Sequence, residues 1–130
     1  MMQWGPALET GHPMVDSDHQ KLISTLNELD QALKDGSGKE ELARIITFLV
    51  VYTNAHFARE EQHMRDVQCP SLLQNCFAHA ALRQKLDGWV AAMHQSGPTT
   101  SLVLEIYRET SAWITQHILR VDCHLRGCRA

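Results

Sequence analysis

Seven positions in this 130-residue chain have the side chains and spacing of a metal-binding cluster: His19, His56, Glu60, Asn75, His79, His117 and Asp122. Six of them carry imidazole or carboxylate, and Asn75 carries a neutral amide, a poorer metal ligand than imidazole. His56 and Glu60 are four residues apart, which makes them neighbours on one face of a helix. Asn75 and His79 repeat that spacing, so two such pairs on consecutive helices can converge inside a bundle. No cysteine occupies these positions, and a mixture of imidazole and carboxylate favours iron over a thiolate-rich structural zinc site. Carboxylates among the imidazoles also suit a pair of metals, because one carboxylate can bridge two ions.

The elements that must position these groups are separated by helix breakers. A leader from Met1 to about Val15 holds Gly5-Pro6 and Gly11-His12-Pro13 and reads as an extended arm. The Asp16-Ser17-Asp18 cluster offers N-cap oxygens for a first helix running to about Leu33, with Leu22, Ile23, Leu26, Leu29 and Leu33 at helical spacing behind His19. Gly36-Ser37-Gly38 stops it. A second helix over about 39–66 aligns Leu42, Ile45, Leu49, Tyr52, His56 and Glu60, and Cys69-Pro70 breaks the chain after it. A third, over about 71–95, aligns Leu72, Asn75, His79, Leu82, Leu86 and Met93. Gly97-Pro98 precedes a fourth, over about 99–124, with Ile106, Thr110, Trp113, His117 and Val121 inward. Four amphipathic helices with short connections predict one all-α domain over residues 1–130, an antiparallel up-down-up-down four-helix bundle.

A histidine on an apolar stripe, taken alone, is more often a satisfied core residue than a ligand. Here every helix places one inward. Burying several imidazoles and carboxylates without partners costs several kcal/mol per unpaired ion, on the order that a multivalent cation resolves. Asp122 fits this geometry least well. Five residues after His117, it lies about 140° around an ideal helix, off the inward face by phase alone.

The bulk properties narrow the function. A formal charge of −3 gives no footprint for nucleic acid or an anionic membrane surface. No apolar run approaches the roughly 18 residues of a membrane span, and Met1-Met2-Gln3-Trp4-Gly5-Pro6 lacks the features of a signal peptide, so a cytoplasmic location is expected. The cysteines at 69, 76, 123 and 128 form no CxxC pair and are expected as reduced thiols.

Together the residues resemble the hemerythrin family, in its single-domain bacterial form, over nearly the whole chain from Trp4 to about His124. The blocks are Gly11-His12-Pro13-Met14-Val15-Asp16-Ser17-Asp18-His19, then His56-Phe57-Ala58-Arg59-Glu60-Glu61-Gln62-His63-Met64 with Pro70 following, then His117-Ile118-Leu119-Arg120-Val121-Asp122. The resemblance implies a pair of non-haem irons with a bridging oxo or hydroxo group, binding O2 reversibly at one iron. Carried over, Glu60 and Asp122 are the bridging carboxylates. His19 and His56 hold the iron with the open position, and His79 and His117 hold the other. Asn75 stands where the family supplies a third histidine to that second iron.

The departure leaves three outcomes: the amide or a water held by it completes the coordination, the second iron also becomes open, or that iron binds weakly. Gln74, Cys76 and His63 are the nearby substitutes, each less well phased than Asn75. Phe57, Trp113, Ile114 and Ile118 flank the matched ligands and are expected to line an apolar O2 pocket, while His12, His63, His94 and His124 are expected to be exposed and without a role. The function expected is therefore O2 carriage, storage or sensing, as a monomer or homo-oligomer. Its rivals are an oxidase, peroxide or nitric-oxide enzyme built on an altered centre, and a metal-binding bundle that no longer binds O2.

Overall fold

The computed structural model describes residues 3–120 and shows four helices: α1 (Pro13–Asp35), α2 (Gly38–Asp66), α3 (Leu72–Ser96) and α4 (Thr100–Arg120). They form a four-helix bundle in which α1 and α3 each pack against both α2 and α4. The antiparallel order shows in what meets at each end. At one end Gly38, opening α2, lies so close to Val103 of α4 and Leu33 of α1 that a Cβ on it would sit 3.2 and 3.3 Å from their side chains. At the other end the start of α1, the close of α2, the start of α3 and the close of α4 bring their inward polar residues together.

Helix α1 begins earlier than its aspartates suggest. Pro13 takes the first helical position, where its missing N–H costs nothing, and His12 is the N-cap, its Nδ1 accepting from Val15 N–H at 3.2 Å. Asp16 instead ties down the arm by accepting from the backbone N–H and hydroxyl of Thr10, both at 2.8 Å. The arm itself contains a short 3-10 turn at Pro6–Leu8, and it is packed: Leu8 is buried, and Trp4 rests on the core. Gly36, at φ 78°, ends α1 in the left-handed conformation that glycine adopts without strain, and Ser37 N–H returns to the Ala32 carbonyl at 2.8 Å.

The apolar stripes fill the middle of the bundle. Leu22, Ile23, Leu26 and Leu29 meet Leu42, Ile45, Ile46 and Leu49, with Leu82, Leu86, Val103 and Ile106 closing the other side. A smaller cluster of Val15, Met64 and Cys69 seals the end beyond the polar residues. Cys69, expected as a reduced thiol, is disulfide-bonded, whereas Cys76 is free. Among the described residues no helix is long and apolar enough to cross a membrane.

Candidate metal centre

Each helix delivers inward polar residues to the same end because the stripe that packs the core continues into them. On α2 the stripe runs from Leu42, Ile45 and Leu49 through Thr53 and His56 to Glu60 and Met64, all buried. On α3 it starts with Asn75 and His79 before reaching Leu82 and Leu86. His19, His56, Glu60, Asn75, His79 and His117 are all 6% exposed or less, so their polar atoms must find partners within the protein.

Glu60 stands at the centre. Its Oε2 lies 3.1 Å from His56 Nε2 and 3.5 Å from His19 Nε2, while its Oε1 lies 3.4 Å from His79 Nε2. His79 Nε2 in turn is 3.1 Å from His117 Nε2. Donor atoms of His19, His56 and Glu60 all fall within 4.8 Å of one another, and so do those of Glu60, His79 and His117. Two three-donor groups thus share one carboxylate, each using a different oxygen.

Carboxylates behind the imidazoles decide which ring nitrogen faces inward. His56 Nδ1 donates to Asp18 Oδ2 at 2.9 Å, and His79 Nδ1 donates to Glu61 Oε2 at 2.8 Å. Each leaves the Nε2 lone pair pointing into the cluster, an arrangement that orients and strengthens imidazole ligands in metal sites. Asp18 is itself held by Tyr52 Oη at 2.8 Å and by Arg59 through Nε at 3.0 Å and an NH2 group at 2.8 Å. Burial works to raise the pKa of Asp18, but the hydrogen bonds from His56, Arg59 and Tyr52 outweigh it and hold the carboxyl well below its usual range. For His56 burial favours the neutral ring, and the contacts with Asp18 and Glu60 outweigh it in the other direction.

The second group is framed by aromatic rings. Phe57 stacks on His79 with centroids 3.7 Å apart and planes 8° from parallel, and Trp113 stacks on His117 at 4.4 Å and 17°. Asn75, wholly buried, donates from Nδ2 to Glu60 Oε1 and contacts Met64 Sδ at 2.9 Å. Its Oδ1 has no hydrogen-bond partner among the described residues. An unsatisfied buried carbonyl oxygen costs roughly 1–3 kcal/mol, which a cation or a cation-held water would offset. Two imidazole nitrogens facing each other at 3.1 Å likewise require a proton or a metal ion between them. The residues present therefore fit a pair of cations: the donors are nitrogen and oxygen, in two groups that share Glu60.

An apolar cavity adjoins the cluster. It is lined by His19, His56 and His117 together with Leu22, Thr53, Leu82 and the four residues expected there, Phe57, Trp113, Ile114 and Ile118. It leaves about 10 Å³ for the centre of a water-sized molecule, room for roughly one small ligand and not for an organic substrate.

The structure thus brings together His19, His56, Glu60, Asn75, His79 and His117. Asp122 lies outside the described residues. Of the nearby substitutes for Asn75, Gln74 is exposed, Cys76 is half-buried and hydrogen-bonds Glu61, and His63 packs against His12 with ring centroids 4.0 Å apart. His12 and His63, expected to be exposed, are half-buried, and His12 has the capping role described above; His94 is exposed, and His124 lies outside the described residues. Sequence reasoning missed Asp18, Glu61, Tyr52, Arg59 and Met64. The available signal was adjacency: Asp18 immediately precedes one inward histidine, and Glu61 immediately follows the shared carboxylate.

Comparison with known proteins agrees with this geometry. The hemerythrin HHE cation-binding domain model matches residues 10–125. A bacteriohemerythrin of Stenotrophomonas maltophilia is 28% identical over 121 residues, covering 91% of this chain and 74% of that one. Another, of Clostridium acetobutylicum, is 22% identical over 125 residues, covering 94% and 96%. A Pseudomonas aeruginosa bacteriohemerythrin is 36% identical over 63 residues, a match spanning 48% of this chain and 40% of the relative's length. The chain belongs to the hemerythrin HHE cation-binding family.

Proposed function

We propose that this chain holds two non-haem irons, joined by Glu60 and an oxo or hydroxo group, and binds O2 reversibly as a carrier, store or sensor. The observation that carries the reading is the division of Glu60, whose Oε2 faces His19 and His56 while Oε1 faces His79, next to an apolar cavity that reaches His19, His56 and His117. His19 and His56 hold the iron beside the cavity, His79 and His117 hold the other with Asn75 completing its surroundings, and Asp122 serves as the second bridging carboxylate. Held by these residues, an iron pair would supply the electrons needed for reversible O2 binding.

The protein's own residues do the rest. Asp18 and Glu61 keep the Nε2 atoms of His56 and His79 available as donors. Phe57, Trp113, Ile114 and Ile118 exclude water, which slows proton-assisted oxidation of reduced iron. The cavity is of a size for a diatomic ligand.

The test is the optical spectrum of iron-loaded, anaerobically reduced protein before and after O2 is admitted, with metal content measured on the same sample. Two irons per chain, and an O2-dependent charge-transfer band that disappears on deoxygenation, are expected. Irreversible oxidation without such a band, or steady turnover of O2 or peroxide with a reductant, contradicts reversible binding and favours the enzymatic reading.

A further inference from the structure

We propose that the Thr53 hydroxyl donates a hydrogen bond to the far end of the small ligand held in the apolar cavity, and so selects ligands that gather negative charge there. The inference rests on the O2-binding reading above and adds to it a residue that discriminates among ligands of the same size.

Thr53 belongs to a ring built in the same way on all four helices. Leu22 and Leu82 follow His19 and His79 by three residues, while Thr53 and Ile114 precede His56 and His117 by three. Three residues make close to one helical turn, so these four lie one turn deeper in the bundle than the inward histidines, and all four line the cavity. Three of them are aliphatic. Thr53 carries the only hydroxyl among the described residues of the wall.

That hydroxyl has no partner in the protein. Thr25 and Thr47 return theirs to the carbonyls of Lys21 and Ala43, four residues earlier on their helices, at 2.9 and 2.8 Å. Thr53 makes no such bond to a described residue, although it is only 3% exposed. Valine would fill the same volume without leaving a buried donor unpaired, which is destabilising. Thr110 of α4 also has an unpartnered hydroxyl, but it is sealed in the core and does not line the cavity. The Thr53 hydroxyl is not among the sealed atoms, and the space that Thr53 borders is the cavity. With about 10 Å³ for its centre, an occupant is held against the wall and within reach of that hydroxyl.

A neutral diatomic accepts a hydrogen bond poorly. One that is itself an anion, or that draws electron density from a reduced metal, accepts strongly, because hydrogen bonds to charged acceptors are shorter and stronger. Thr53 therefore retains such a ligand while the aliphatic members of the ring keep water out.

The experiment compares the iron-loaded full chain with Thr53→Val, Thr53→Ser and Thr110→Val, metal content being measured on each. Two probes are used: O2 on the reduced protein, read as its dissociation rate, and cyanide on the oxidised protein, read as affinity and as the infrared C–N stretch in H2O and D2O. Thr53→Val should speed O2 dissociation and weaken cyanide about tenfold, and should abolish the shift of the C–N stretch on deuteration, with metal content unchanged. Thr53→Ser keeps the donor and should stay within about threefold of the parent, and Thr110→Val should match the parent. O2 and cyanide values within about twofold of the parent in Thr53→Val, or a parental C–N stretch identical in H2O and D2O, overturn the inference and leave the O2-binding reading standing. Cyanide affinity that depends on Thr53 in a protein without a reversible O2 complex overturns only that reading. Binding of neither probe by the two-iron parent overturns both.

Discussion

In one half of the donor cluster, His19 and His56 face Glu60 Oε2 and open onto the apolar cavity; in the other, His79 and His117 gather at Oε1 between Phe57 and Trp113. A carboxylate backs one imidazole in each, Asp18 behind His56 and Glu61 behind His79. The support behind them differs. Asp18 is held by Tyr52 and two nitrogens of Arg59, whereas Glu61 is met by the Cys76 thiol and by longer contacts with Arg65 at 3.8 Å and Arg83 at 3.9 Å. Asn75 falls in the second half, beside Glu60 Oε1, and does not line the cavity. Both halves contribute to the cavity wall, His19 and His56 from one and His117 with Phe57 and Trp113 from the other, whereas Asn75 stays behind it, and Glu60 joins the two.

The largest expected effect removes what the halves share. Glu60→Ala should lower affinity for both cations by well over about a hundredfold, since each group loses a charged donor and neither retains a common oxygen. Isothermal titration with metal content would show it, and retention of one cation at parental affinity would mean that Glu60 does not bridge.

Asp18→Asn and Glu61→Gln separate the halves. Each should cost about ten- to a hundredfold in affinity for its own cation and leave the other nearly unchanged, because the lost partner fixes a single imidazole. Equal loss at both positions from either change would erase the distinction.

Ile114→Phe sharpens the role of the cavity. The larger ring should fill it at a cost of roughly 1–3 kcal/mol of stability and weaken O2 binding by about tenfold, with metal content unchanged. Oxygen titration of the iron-loaded variant decides this, and unaltered affinity would place the O2 site elsewhere.

The smallest effect concerns the arm. Burial and then the neighbouring His12 push the pKa of His63 below its ordinary 6.5. The unfolded chain therefore binds the proton more readily, so this residue's contribution is intact above pH 6.5 and erodes as pH falls toward the folded-state value. Melting temperature measured from pH 7.5 to 5.5 should fall less steeply in His63→Gln, and parallel curves would remove His63 from the acid response.

The inward stripe was legible because helical period is. His56 and Glu60 continue the face of Leu42, Ile45 and Leu49, and Asn75 and His79 lead into Leu82 and Leu86, so packing and donor placement follow one pattern. The start of α1 was not legible in the same way. Three aspartate and serine side chains are good N-caps by type, but Pro13 fixes the first turn earlier, which frees Asp16 for Thr10 and turns Asp18 inward to His56. The cavity was half legible: Phe57, Ile114 and Ile118 sit beside stripe residues, but the contributions of Leu22, Thr53 and Leu82 depend on how the helices are rotated against one another, which periodicity does not state.

The central claim is that one carboxylate holds two inequivalent cations. Mössbauer spectroscopy of oxidised protein loaded with excess iron-57 tests it most directly, read beside electron paramagnetic resonance of the same sample. Two quadrupole doublets of equal area and a silent, magnetically coupled ground state are predicted. A single uncoupled high-spin ferric signal, accounting for all the iron, would contradict it.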